Sequence, residues 1–311
     1  MPPLFPLTLS LYAVSCTLSC VPVIANRAAE ATATTGEPRF GSGAALAAMA
    51  PGTPSSPGTL QQAARWMLAL AFVSQALDIA WLCLHGRHPA VDGHEATYFI
   101  TWLISGLFLL LPLRYAPSVV NALAVPVIPL VMVLQVLARL SPSALRGGAL
   151  APGGGLSLLA TTHILCATLG SAIFIVAAGS SVLYLLSERR LKRRAPLSLN
   201  ARRGVSLEGL DAMNRLCVTL GFPVFTAALI TGTVWIGHRS ALGQGPESAT
   251  AAYLQPQYVM AVLTWLVYGL LLLSRLVAGV RGRRAALATL AGFLTTMSVL
   301  MLYLFRGRGG L

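Results

Sequence analysis

Residues 158–194 read LLATTHILCATLGSAIFIVAAGSSVLYLLSERRLKRR. No charged side chain interrupts the run from Leu158 to Ser187; then Glu188 and five basic residues arrive within seven positions. A helix needs about 20 apolar residues to cross the hydrocarbon core of a bilayer. This run is longer, so it predicts a membrane-spanning helix that ends in a basic loop.

The rest of the chain repeats the pattern. Of 311 residues 56% are hydrophobic and only 10% charged, whereas a soluble domain carries about 25% charged residues. So little charge cannot cover a water-facing surface, and the expected class is an all-α polytopic integral membrane protein. Eight apolar stretches are long enough to be spans: roughly 4–25, 62–84, 96–113, 117–139, 157–186, 213–236, 257–275 and 285–305. No Lys or Arg precedes the first, the wrong order for a secretory signal, so it reads as a helix that is kept. Residues 26–61 are rich in Ala, Thr, Gly, Ser and Pro and read as a flexible linker.

The loops orient the spans. Residues 187–203 hold seven basic residues and 275–284 hold four. With Arg27, Arg39, Arg65, Arg114 and Arg215, one face collects sixteen of the 22 Lys and Arg. Basic loops stay on the cytoplasmic side, so both termini are expected outside, in a bacterial cytoplasmic membrane. The same bias accounts for the formal charge of +13 as topology, which removes the argument for nucleic acid. The five cysteines form no CxxC and predict neither a disulfide framework nor a redox dithiol.

Every histidine falls at the outer face of this topology: His85, His88, His94, His163 and His238. Histidine is the usual ligand of haem iron and of metals. His85 and His88 read as exposed loop residues. His163 lies about 9 Å into its span at 1.5 Å per residue, where an ionisable group must face protein or a water-filled cavity. It is either a functional group or one side of an interhelical hydrogen bond. Asp78, within the span 62–84, is the second such group. It can accept the outer N–H of a ligating histidine, hold a proton or cation, or bond Gln75 and a neighbouring helix. There is no HxxxH or HExxH, so a dedicated metal site is not expected. Trp235 and Trp265 flank 237–256 as candidate interfacial anchors. No enzyme nucleophile, phosphate loop or acid–base pair stands out, and no internal repeat is visible.

The order of features from 157 onward is more specific than any one of them. THILCATLG and its Glu-Arg-Arg-Leu-Lys exit are followed by SLEGLDAMNRLCVTLGFPVFTAALITGTVW, then TWLVYG, then GVRGRRAALATLAGF. Upstream stands HPAVDGHEATYFITW. This pattern resembles the CcsA/ResC-type cytochrome c assembly family over about 62–305, and within it the shorter branch of HemX and YpjD. The resemblance implies a cytochrome c assembly-like transmembrane domain over 62–305, which with the first helix over 1–25, the linker over 26–61 and a tail over 306–311 makes up the chain. It also implies a protein that assists haem handling or delivery in cytochrome c maturation, working with haem and with other assembly or haem-synthesis proteins. His163 is then the candidate axial ligand, with His238 or His94 as a second. Trp235 opens the haem-handling loop, Arg239 can pair with a propionate, and Asp78 supports a ligand from behind.

The departures are as informative. Family members that ligate haem carry a tryptophan-rich loop with a WDxKE core, but here residues 236–258 read IGHRSALGQGPESATAAYLQPQY. Ser274 stands where the family tends to place a histidine, and the chain ends FRGRGGL. Two other readings therefore stay open: a haem-free regulatory or scaffolding membrane protein of the same family, and a small-solute or proton-coupled transporter centred on Asp78 and His163.

Overall fold

The computed structural model describes residues 3–34, 57–85, 93–115, 117–140, 158–192, 206–241 and 249–305. Their helices are α1 (Phe5–Thr34), α2 (Pro57–Leu84), α3 (Gly93–Leu110), α4 (Pro117–Leu140), α5 (Leu158–Lys192), α6 (Leu207–Ala241), α7 (Ala249–Tyr253), α8 (Pro256–Val277) and α9 (Arg283–Phe305). Seven are long and apolar enough to cross a bilayer, and Phe5–Val21 of α1 is a shorter apolar helix. The expected all-α multi-pass membrane protein is what is found. Helical structure continues past several expected ends. α1 runs to Thr34, over the first part of the expected linker, and α6 runs to Ala241. Most of the linker, His88 and the side chain of Arg239 lie outside the described residues. Pro126, Pro129 and Pro223 sit inside helices that continue through them.

Lipid offers no hydrophobic drive between helices, so small residues and polar side chains set the packing. At the α5–α6 interface a Cβ on Gly170 would stand 3.2 Å from Phe225 Cβ, and one on Gly221 would stand 2.7 Å from the Phe174 ring. On the other side of α5, Gly179 receives Val127 and Leu123 of α4. Tyr268 of α8 lies flat on Phe174, with ring centroids 3.6 Å apart, and its own ring occupies the space that a Cβ on Gly292 of α9 would need.

Asn214 closes the basic end of this half. Its Nδ2 donates to Ala177 O (3.0 Å) and Ser181 Oγ (2.7 Å) of α5. Its Oδ1 accepts from Arg275 of α8 and from Thr289 Oγ1 of α9. Asp211, one turn earlier, accepts the backbone N–H of Gly282 (3.2 Å), whose positive φ of 67° suits glycine. The SLEGLD and RGRR motifs thus meet in space. Replacing Asn214 by Ala removes the hydrogen-bond acceptor of the Arg275 guanidinium, leaving it the longer ion pair with Asp211 at 3.7 Å. It also removes the donor to Ser181, whose hydroxyl keeps only Ala177 O. Thermal unfolding in detergent should then show a loss of about 2 kcal/mol, the usual cost of an unmade buried hydrogen bond.

Candidate functional site

His163 sits about one and a half turns from the start of α5, and Gly232 lies near the far end of α6. The helices run antiparallel, so both residues reach the same end of the bundle. There the His163 Nδ1 is 2.7 Å from the backbone oxygen of Ala228. A carbonyl oxygen only accepts, so Nδ1 carries the proton. In a neutral imidazole the lone pair then belongs to Nε2. This is the tautomer of a metal-ligating histidine whose other nitrogen is fixed by a backbone carbonyl.

The TG pair of TGTVW makes the seat. Thr231 Oγ1 donates to Ala227 O (2.7 Å) and Ala228 O (3.1 Å). Gly232 leaves the space that the ring fills: a Cβ there would stand 2.6 Å from His163 Cε1 and 2.7 Å from Nδ1. Sequence reasoning singled out His163 and missed both the Ala228 carbonyl and Gly232. Gly232 was legible only as part of the quoted motif, and a backbone acceptor leaves no mark on side-chain identity.

His238 does not join this seat. It lies on α6 rather than in a loop and is exposed. Six residues beyond Gly232 it is rotated about 120° away from the face that meets His163, at 3.6 residues per turn. Trp235 is half-buried. Trp265 is no simple interfacial anchor: its Nε1 donates to Thr226 Oγ1 of α6 (2.9 Å), and it stacks on Phe222. His85 caps its own helix, with Nδ1 2.8 Å from Trp81 O and its ring against the Trp81 ring.

A second polar assembly is built from α1 to α4. His94 is 2% exposed at the start of α3, next to Glu95. Glu95 Oε1 takes Arg139 Nη1 of α4 at 2.9 Å, both side chains being buried. The guanidinium lies 4.0 Å over the Tyr98 ring, a favourable cation–π position. Asp78 is fully buried, and both its oxygens are engaged: Oδ1 accepts the Leu4 N–H (2.9 Å) and Oδ2 the Tyr98 hydroxyl (3.3 Å). The Leu4 amide is one of the donors that the start of a helix leaves unpaired, so Asp78 caps α1, at the end where a carboxylate is favoured. The expectation that Asp78 bonds Gln75 is not met in this form. Gln75 instead accepts from Tyr12 (2.7 Å) and Gln135 (3.2 Å) and donates to Tyr98 O and Thr101. Among the described residues no group of three or more His, Cys, Asp or Glu is placed to hold a metal ion.

Residues 91–308 match the family described as "Cytochrome C assembly protein". The chain is similar to the "Cytochrome c biogenesis protein CcsA" of Chlamydomonas reinhardtii, 24% identical over 67% of this chain and 56% of that protein. It is 26% identical to the protein of the same name from Prochlorococcus marinus subsp. pastoris, over 73% of this chain and 74% of that one. The corresponding protein of Pyropia yezoensis is 22% identical over 81% and 87%. The chain thus spans little more than half the length of the Chlamydomonas relative. No solved structure matches.

Proposed function

This chain belongs to the cytochrome C assembly protein family, and on that premise we propose that it serves cytochrome c maturation by holding haem at the histidine-bearing end of its bundle. The observation that carries this reading is the His163 seat, where the Ala228 carbonyl fixes the proton on Nδ1 and leaves Nε2 with its lone pair. The donor set fits a haem: a neutral imidazole in the ligating tautomer, in a chain whose relatives are named for cytochrome c biogenesis. Bound there, haem would supply its iron to the His163 imidazole and two propionates to basic side chains.

In this reading His163 is the first axial ligand. His94 and Trp235 are the other candidates at that end, and Arg239 is the partner for a propionate. His238, which faces away from the seat, would meet haem only from the solvent side and not as a second ligand beside His163. Asp78 supports the assembly by fixing α1 against α2 and α3. The orientation that follows from the basic loops places this end outside a bacterial cytoplasmic membrane, with both termini on that side. Haem and other cytochrome c assembly or haem-synthesis proteins are the proposed partners.

The test is the absorption spectrum of the detergent-purified protein, with haem quantified per chain. The wild type is expected to carry a Soret band near one haem per chain, and His163→Ala is expected to lose it. Equal haem in the variant would sink the assignment. One observation favours the haem-free scaffolding reading: residues 236–258 contain no tryptophan. A wild type that stays colourless when haem is supplied during expression, yet co-purifies with another assembly factor, would establish it.

A further inference from the structure

The opposite end of the bundle, where the basic loops gather, holds a cavity of about 50 Å³ between α1, α2, α3 and α4. Its polar lining is Arg65, Asn121, Ser15 and Ser19. Both hydroxyls are already committed as donors, Ser15 to Ala64 O (2.9 Å) and Ser19 to Ser15 O (2.8 Å). The nitrogens are not. Arg65 Nε and Nη2 and Asn121 Nδ2 are buried without a hydrogen-bond partner. Among the described residues no carboxylate lines the cavity. The site therefore offers three N–H-bearing atoms and one positive charge, with no acceptor for them among the described residues. Buried donors left unmade are costly, a cation most of all.

The lining also has a gradient. Arg65 and Asn121 stand toward the basic end, while Leu68, Ala124 and Ile128 line the cavity about one to two turns deeper into the same helices. Trp66, beside Arg65, is 63% exposed, which sets this level at the interface where tryptophan rests against headgroups. A donor-rich rim over an apolar floor suits an amphiphile with an anionic head, and the volume admits an oxyanion but not a macrocycle.

We infer that this cavity binds the phosphate of an anionic phospholipid from the leaflet facing the basic loops, with the Arg65 guanidinium and the Asn121 amide donating to its oxygens. Arginine presents a fork matched to phosphate. Anionic lipid is enriched in the cytoplasmic leaflet toward which basic segments are drawn. The site is independent of the haem reading, since it lies at the other end of the bundle.

The full chain, reconstituted into nanodiscs of phosphatidylglycerol and phosphatidylcholine in equal parts and released for native mass spectrometry, reports the retained lipid. The wild type should hold about one phosphatidylglycerol per chain in preference to phosphatidylcholine. Arg65→Gln should lower that retention roughly tenfold, the scale of a charge-assisted donor pair. Arg65→Lys keeps the charge and should retain an intermediate amount, which separates loss of the site from loss of the fold. Arg114→Gln removes an exposed charge outside the cavity and should leave retention unchanged. Equal retention in Arg65→Gln, or an equal drop in Arg114→Gln, would overturn the proposal. Binding of inorganic phosphate by a wild type that retains no phosphatidylglycerol would also overturn it, because the cavity would then bind a free anion and not a lipid.

Discussion

Glu95→Ala is expected to be the most destabilising single substitution in the α1–α4 half, at about 3–5 kcal/mol, the range for breaking a buried ion pair from one side. Arg139 and Glu95 are only 3% and 5% exposed, and Nη1 meets Oε1 at 2.9 Å. Among the described residues Arg139 Nε and Nη2 already have no hydrogen-bond partner, and removing Glu95 takes away its one ion-pair partner there. The cation–π contact with Tyr98 at 4.0 Å offsets about 1–2 kcal/mol of such a loss. Asp78, bonded to that same tyrosine, is a replacement counter-charge within the field of Arg139, and moving it would uncap α1. Thermal unfolding in detergent should show the loss, and Glu95→Gln, which keeps an acceptor for Nη1, should recover part of it. A Tm within error of the wild type for Glu95→Ala would mean that Arg139 is hydrated in the membrane-embedded state.

The second large effect is expected at a residue with no side chain. Gly232→Leu should remove bound haem as completely as His163→Ala, although glycine cannot ligate anything. A Cβ at 232 already falls 2.6 Å from His163 Cε1, closer than carbon atoms approach, so even Gly232→Ala must push the ring off the Ala228 carbonyl. Overpacking of this kind costs typically about 1–3 kcal/mol, and the chain should still fold. The loss should therefore appear in haem per chain before it appears in thermal stability. Gly237→Ala is the control, because a Cβ there finds only Tyr253 Oη at 3.5 Å, an ordinary contact. Full haem content in Gly232→Leu would show that the imidazole orientation set by Ala228 is not what binds iron.

The two substitutions separate what each half of the molecule contributes. Glu95→Ala acts on the scaffold and leaves the α5–α6 seat untouched. Gly232→Leu acts on the seat and leaves the buried ion pair untouched. Distant sites of this kind add independently, so the double variant should show both losses without coupling.

The amino-acid sequence by itself determined the spans, their order and the end at which the basic residues collect. Those are one-dimensional properties: the bilayer reads apolar length and loop charge residue by residue along the chain. It also marked His163 and Asp78, since an ionisable residue inside an apolar run stands out without knowledge of its neighbours. What faces each of them was decided only by tertiary structure. Asp78 was open between a ligand's supporting acceptor, a proton or cation site and a bond to Gln75 and a neighbouring helix. It became the cap of α1 because Leu4, just before α1, and Tyr98 of α3 converge on it. His238 shares an end of the bundle with His163 yet faces elsewhere, because helix phase and not distance along the chain sets direction. The tautomer of His163 rests on a backbone carbonyl 65 residues away, and every residue type carries that carbonyl. No pattern of side chains can announce it; only the pairing of α5 with α6 places it there.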